Sequence, residues 1–329
     1  MMSQILMGKQ APEFSSLQGW LNSPLLTMSE LKGKVVLLDF WTYSCVNCIR
    51  TLPHMKDLHK RYASDKFILI GVHTPEFAFE KDPENVASAV KRFGIEYPVA
   101  IDSNNVTWTL YGNQYWPRQT LVDAAGRVRW EHAGEGDYDK IEEQIVALVK
   151  EAGETLEKPE AQRKSEASWK EKLGLQSNRI TPEIYAGSLR SKGFGNSQTL
   201  VLGTPAVLTD SKNHLLDIPY LSGSWVQNPE FVEHAAADAG FVVLKYSGRN
   251  ANAVLGTPEG EPVKVDVELD GRSLTRDKAG PDVQWENSEA FLRVRENKLY
   301  DIVRTKSSET HELRLNTGGK LRLYTYTFG

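Results

Sequence analysis

The chain has 329 residues, 40% hydrophobic and 25% charged, with a net charge of −4. That is the composition of a globular protein with room for two cores. It gives no electrostatic reason to expect nucleic acid or an anionic membrane as partner, and no apolar run approaches the roughly 18 residues of a membrane span.

The first residues, M-M-S-Q-I-L-M-G-K-Q-A-P, have no basic head, no long apolar middle and no cleavage site. The chain as it stands is therefore expected in the cytosol. Two cysteines suit either redox compartment. With a leader or membrane domain ahead of it, the expectation becomes periplasmic or extracytoplasmic.

Residues 1–34 read as a lead-in. Pro12 holds A-P-E-F extended, Trp20 reads as core or as cover for an edge, and residues 25–34 read as a short helical turn. Residues 35–38 are an unbroken apolar run, followed by Asp39, Phe40 and Trp41. Asp39 is the lone carboxylate of an otherwise buried strand. Then come the only two cysteines, Cys45 and Cys48. Beyond them Ile49, Leu52, Met55, Leu58 and Tyr62 recur at helical spacing.

Strand, loop, C-x-x-C and helix place Cys45 at a helix N-terminus, where free N–H groups and the macrodipole favour a thiolate. Cys48 lies one turn in, close enough to close a disulfide. Pro53 is expected to kink the helix. Haem attachment would need His after the second cysteine, and Ile49 stands there. Structural zinc needs further ligands, and His54 and His59 do not share a helix face. Two inert structural thiols are the remaining alternative to a redox dithiol, which the strand–loop–helix setting favours.

A second buried strand is expected at 67–72, a helix at 84–93 after Pro83, a strand at 97–101 and a short helix at 105–111. His73, ending a strand, reads as a satisfied core or loop histidine ahead of a catalytic one. Trp116-Pro117 precedes a strand at 118–123, where proline is tolerated as the first residue. A hairpin partner at 127–132 and a helix at 138–152 complete the first domain, residues 1–153.

Residues 154–180 turn polar and read as a linker with a short surface helix packing through Trp169 and Leu173. From Thr181 the period becomes two. Val263, Val265, Val267 and Leu269 alternate with charged residues before Gly271 turns the chain, and strands are expected at 240–246 and 291–294. Leu313 and Leu315 with Leu321 and Leu323 flank Thr317-Gly318-Gly319 as an expected hairpin. Many short strands without helices argue a β-sandwich over 181–329, jelly-roll-like. Tyr185, Tyr220, Trp225, Trp285 and Tyr300 could stack on a sugar, although aromatics in strands are more often core.

D-F-W-x-x-x-C-x-x-C, with Pro53 five residues after the second cysteine, resembles the thioredoxin superfamily in its TlpA-like branch. W-T-Y-S-C-V-N-C, G-V-H-T-P-E-F at 71–77 and Y-W-P-R-Q-T-L-V-D at 115–123 are similar to the thioredoxin-like portion of DipZ-type thiol:disulfide interchange proteins. The likeness runs over nearly the whole chain. The second half resembles that family's β domain, which is carbohydrate-binding-module-like. Ser44 departs from the tryptophan usual before the first cysteine, and the membrane-embedded domain that often comes first in DipZ proteins is missing from this sequence.

The resemblance implies a thioredoxin-like α/β domain followed by the β-sandwich, with Pro117 as the cis-proline facing the dithiol. It implies thiol–disulfide exchange with no cofactor and no metal. Protein disulfides or dithiols and an upstream thiol partner are the implied partners, with a carbohydrate as a possible ligand of the second domain. Trp41, Ser44 and Trp116 are expected to contact the partner. In the implied mechanism Cys45 attacks, Cys48 resolves, and Asp39 relays the Cys48 proton, an ion pair being its plainer role. Val46-Asn47 between the cysteines has neither the proline nor the histidine that would indicate a direction.

Two rivals stand beside this reading. Thr42, three residues before Cys45, fits a peroxiredoxin-like thiol peroxidase, but Leu38 occupies that motif's proline position. The other is a non-cycling binding or scaffold protein on a thioredoxin fold.

Overall fold

The computed structural model describes residues 6–156, 179–235 and 238–329. The chain divides into two compact units, one within residues 1–168 and one within 169–329. The linker helix expected through Trp169 and Leu173 lies outside the described residues. Among the described residues no helix is long and apolar enough to cross a membrane.

The first unit is built on six strands: β1 (Gly19–Leu21), β2 (Val35–Trp41), β3 (Phe67–His73), β4 (Val99–Ile101), β5 (Arg118–Val122) and β6 (Val128–Ala133). They lie in the order β1-β4-β3-β2-β5-β6. The pairs β2–β3 and β3–β4 are parallel; β1, β5 and β6 pair antiparallel at the flanks. Every residue of β2 is buried, which explains its continuous apolar run. Alternation sorts that run between two cores. Val35, Leu37 and Trp41 face the helices α1 (Val46–Tyr62), α2 (Pro83–Phe93) and α4 (Tyr138–Glu151). Val36, Leu38 and Phe40 face α3 (Val106–Leu110) and the lead-in segment. Asp39, two residues from Leu37 and Trp41, therefore points to the α1 side.

Helix α1 buries Leu52, Met55, Leu58 and Tyr62, each apolar side chain contributing roughly 1.5–3 kcal/mol. Pro53 lies inside α1 without ending it; it forgoes one backbone bond, which the buried face offsets. Helix α2 opens on Asp82, whose side chain accepts from the Glu84 N–H at 2.9 Å, and closes on left-handed Gly94. Residues 28–33 form hydrogen-bonded turns, not the expected helical turn. Glu13 accepts from the N–H groups of Met28 and Ser29 at 2.6 and 3.2 Å, and Gly33 at φ +93° ends the run.

The second unit is a β-sandwich: β7 (Ile184–Tyr185), β8 (Pro205–Leu208), β9 (Pro219–Gln227), β10 (Val232–His234), β11 (Gly240–Gly256), β12 (Val263–Leu269), β13 (Arg272–Ser273), β14 (Val283–Glu286), β15 (Glu289–Val294), β16 (Lys298–Thr317) and β17 (Arg322–Phe328). Val265, Val267 and Leu269 are buried as their alternation requires, and Asp270-Gly271, both at positive φ, turn β12 into β13. The long strands β11 and β16 pair along most of their lengths, with register shifts between Gly248 and Asn250 and between Ala251 and Asn252. The first half of β11 also pairs with β9 and its second half with β17, while β10 joins β9 to β17. The sheet thus folds back on itself around one core.

The expected hairpin across Thr317-Gly318-Gly319 does not form. Leu313 and Leu315 pair with β11 and β12, whereas Leu323 pairs with β11 and β10. The turn signal is real, but β11 takes the place between β16 and β17. Nor do the five aromatics form an open stacking face. Tyr220, Trp225 and Tyr300 are buried, and the guanidinium groups of Arg190 and Arg276 cover Tyr185 and Trp285 at 3.8 and 4.3 Å from the ring centres.

Candidate active site

Strand β2 ends at Trp41, and residues 42–44 carry the chain to α1. Cys45 is the N-cap of α1, with extended backbone, and its Sγ accepts from the Cys48 N–H at 3.4 Å. Both are free thiols. Cys45 is half-buried, while Cys48 is 1% exposed and faces the core. One sulfur is thus partly exposed and the other is enclosed in the core.

Burial pushes the Cys48 thiol well above its ordinary value. The neighbouring Cys45 adds to the rise through its hydrogen bond and its charge, a backbone hydrogen bond from Thr42 opposes it, and the Asp39 charge raises it further. Asp39 is itself 1% exposed. Burial lifts its carboxyl to about 7, against the lowering effect of the hydrogen bond from Gln119. Gln119 Nε2 donates to Asp39 Oδ1 at 2.8 Å. On the other flank Asp39 is paired in register with Gly71. A methyl group on Gly71 would meet Trp41 Nε1 and Tyr97 Cε2, each at 3.0 Å. Burial, with the charges of Asp39 and Cys48, raises the Tyr97 phenol, and Tyr97 packs in the same core as Trp41 and Cys48.

The loop before Cys45 is tied down by Glu80, from the 3₁₀ turn Ala78–Lys81. Glu80 is fully buried. Its Oε1 accepts from Thr42 Oγ1 at 2.5 Å, Ser44 N–H at 3.1 Å and Ser44 Oγ at 2.8 Å; Oε2 accepts from the N–H groups of Glu76 and Phe77 at 2.8 and 3.0 Å. Burial raises its carboxyl to about 7, the hydrogen bonds from Thr42, Phe77 and Ser44 opposing. His73 is a core histidine, stacked on Tyr43 at 5.4 Å, and burial drops it to about 3.

Trp116-Pro117 is a cis peptide. Pro117 is buried and directly precedes Arg118, which pairs with Phe40, so it stands at the end of β5 level with the exit of β2. Its carbonyl accepts from Gly134 at 2.8 Å. Trp116 is half-buried and stacks on Trp108 at 4.3 Å. Trp41 and Ser44, expected to touch a partner, are 0% and 2% exposed. The inward face of β2 takes the first and Glu80 takes the second, so neither side chain reaches the surface. Among the described residues no group of three or more His, Cys, Asp or Glu side chains could hold a metal ion.

A Redoxin model matches residues 6–146, and a model described as a thioredoxin like C-terminal domain matches residues 181–329. The thiol-disulfide oxidoreductase ResA of Bacillus thuringiensis subsp. konkukian is 30% identical over 144 residues, 43% of this chain and 78% of ResA. The chain belongs to the thioredoxin-like thiol-disulfide oxidoreductases. Within that family, Protein DipZ of Mycobacterium bovis is 33% identical over 322 residues, 97% of this chain. The chain spans 43% of the length of DipZ. A crystal structure of a thiol-disulfide isomerase from Corynebacterium glutamicum is 26% identical, covers 42% of this chain and 96% of its own, and has a TM-score of 0.39.

Three residues around the dithiol are given no role by the sequence. Gln119 and Gly71 reach Asp39 only through strand register, which no local pattern encodes. Glu80 left no separate signal, being one of several acids (Glu76, Asp82, Glu84) in a segment otherwise read as insertion.

Proposed function

We propose that the chain exchanges electrons with the disulfides of partner proteins through Cys45 and Cys48. The observation that carries this reading is the half-exposed Cys45 thiol at the N-terminus of α1, backed by a buried second thiol. The Cys45 thiolate attacks one sulfur of the partner disulfide. That S–S bond breaks, the partner's other sulfur leaves as a thiolate and takes up a proton, and a mixed disulfide remains. Cys48 then attacks Cys45 Sγ. The bond from Cys45 to the partner breaks, the second partner thiol leaves, and a Cys45–Cys48 disulfide forms. Two electrons pass from the dithiol to the partner, and a donor dithiol resets the enzyme by the same steps; run in reverse, the sequence oxidises.

The raised thiol of Cys48 needs a base before it can attack. Asp39, held at about 7 beside it, is matched to take that proton near neutral pH. Cis-Pro117, at the head of β5, is assigned the face against which the partner chain lies. The second unit, without a cysteine, is assigned partner choice. Thr42 gives its hydroxyl hydrogen to Glu80, which favours exchange over a peroxidase in which Thr42 serves a peroxide.

The test is stoichiometric. The chain is reduced with dithiothreitol, freed of it, and mixed with a peptide disulfide. The expected yield is two peptide thiols per chain, none from Cys45→Ser. A reduced chain that releases no peptide thiol would refute the function.

A further inference from the structure

We propose that Glu80 is a positioning residue for both sulfurs, fixing through Thr42 and Ser44 the loop that presents Cys45 and backs Cys48. The proposal rests on the exchange reading and concerns the same site. Glu80 is fully buried and, among the described residues, hydrogen-bonds to neither sulfur, so it acts through its neighbours.

The geometry is specific. Five donors converge on one carboxylate, three on Oε1 from the pre-cysteine loop and two on Oε2 from the start of the 3₁₀ turn. Ser44 is bonded by both its backbone N–H and its hydroxyl, so its side-chain and backbone torsions are both held. It is the residue immediately before Cys45, and its orientation sets where the N-cap begins. Thr42 is bonded by its hydroxyl, and its backbone supplies the hydrogen bond that favours the thiolate form of Cys48. One carboxylate therefore fixes the approach to the exposed sulfur and the hydrogen bond to the buried one.

An ionised carboxylate suits the position. Three of the five partners are backbone N–H groups, which can only donate, and an ionised Glu offers two oxygens that both accept. The amide introduced by Glu80→Gln would turn an NH₂ toward two or three of them and leave buried N–H or O–H groups without an acceptor. The arrangement closes the loop across 36 residues of sequence between Ser44 and Glu80. The helix N-terminus alone accounts for neither the loop's conformation nor the choice of a carboxylate in this place.

The test uses the full chain and reads Cys45 directly. Iodoacetamide alkylation of Cys45 is followed by mass spectrometry from pH 4 to 10, together with the redox equilibrium of the pair against glutathione, for wild type, Glu80→Gln, Thr42→Val and Ser44→Ala. Glu80→Gln is expected to displace the Cys45 alkylation profile and the redox equilibrium. It should slow disulfide reduction at saturating substrate by at least about tenfold, within the roughly hundredfold that ångström-scale misplacement costs, with KM for a small disulfide unchanged. Ser44→Ala should move the Cys45 profile the same way, and Thr42→Val the redox equilibrium. A folded Glu80→Gln chain with the wild-type profile and equilibrium would overturn the proposal. Should Glu80→Gln not fold, the two hydroxyl variants decide: wild-type behaviour in both overturns it. A wild-type chain that reduces no disulfide would sink the exchange reading, while the alkylation profiles still decide the role of Glu80.

Discussion

Gln119 stands directly opposite Asp39 on the neighbouring antiparallel strand and donates to its carboxylate at 2.8 Å. The pair is buried, so the bond acts in a low-dielectric setting where it counts for more than in water. It favours the ionised carboxylate while burial favours the neutral acid. The balance leaves Asp39 at about 7, where a group can accept a proton and give it back near neutral pH.

Gln119→Leu removes the donor and keeps the bulk. The Asp39 carboxyl is then expected to titrate higher, and the pH profile for resolution of a mixed disulfide should move up with it. Stopped-flow resolution rates over a pH series check this, and an unmoved profile would show that Asp39 does not serve Cys48. Asp39→Asn should slow resolution more than formation of the mixed disulfide.

Asp39 also ties stability to pH. Its folded value, about 7, lies above the unfolded carboxyl value of ~3.9. The stability contributed by the protonated form is whole below the unfolded value and is lost as pH rises through the folded one. Asp39→Asn escapes that loss, so its stability relative to wild type should climb from about pH 4 to about pH 7 and then level, by on the order of a few kcal/mol. Glu80 has the same sign and is present in both proteins, so it cancels in the difference. Urea unfolding at a series of pH values measures the gap, and a constant gap would contradict the raised carboxyl.

Gly71→Ala places a methyl group 3.0 Å from Trp41 Nε1 and from Tyr97 Cε2. Both rings are fully buried, so they shift only against a packed core. A loss of about 1–3 kcal/mol is expected in urea unfolding. A change within about 0.5 kcal/mol, the range of an indifferent surface substitution, would contradict the packing described.

The parts of this molecule legible in its sequence are those encoded locally. The run at 35–38, the C-x-x-C and the helical spacing from Ile49 to Tyr62 lie within one strand–loop–helix unit, and each becomes the element expected. The Val263–Leu269 alternation does the same for β12. What was not legible depends on chain brought from far away. Glu80 reaches Ser44 across 36 residues, Gln119 reaches Asp39 across 80, and β11 separates β16 from β17 despite the turn between them. Trp41 and Ser44 are expected from the sequence to contact the partner, but strand alternation and the Glu80 carboxylate bury both side chains.

Residues 1–153 contain both cysteines together with Asp39, Glu80 and Pro117, and the β unit has no cysteine. This fragment alone is expected to reduce a small unstructured disulfide at near the full-length rate and to lose preference for its protein partner. Parallel kinetics on a small disulfide and on a folded protein disulfide check both halves of the statement. A folded fragment unable to exchange even the small disulfide would mean that the second unit completes the site.

The central claim, that Cys45 attacks and Cys48 resolves, is tested most directly by trapping. Cys48→Ser and Cys45→Ser are each incubated with a protein disulfide, quenched in acid and run on non-reducing gels with mass spectrometry of the linked peptides. The account expects Cys48→Ser to accumulate a mixed disulfide through Cys45 and Cys45→Ser to accumulate none. Equal trapping by both variants, or trapping through Cys48 alone, would contradict it.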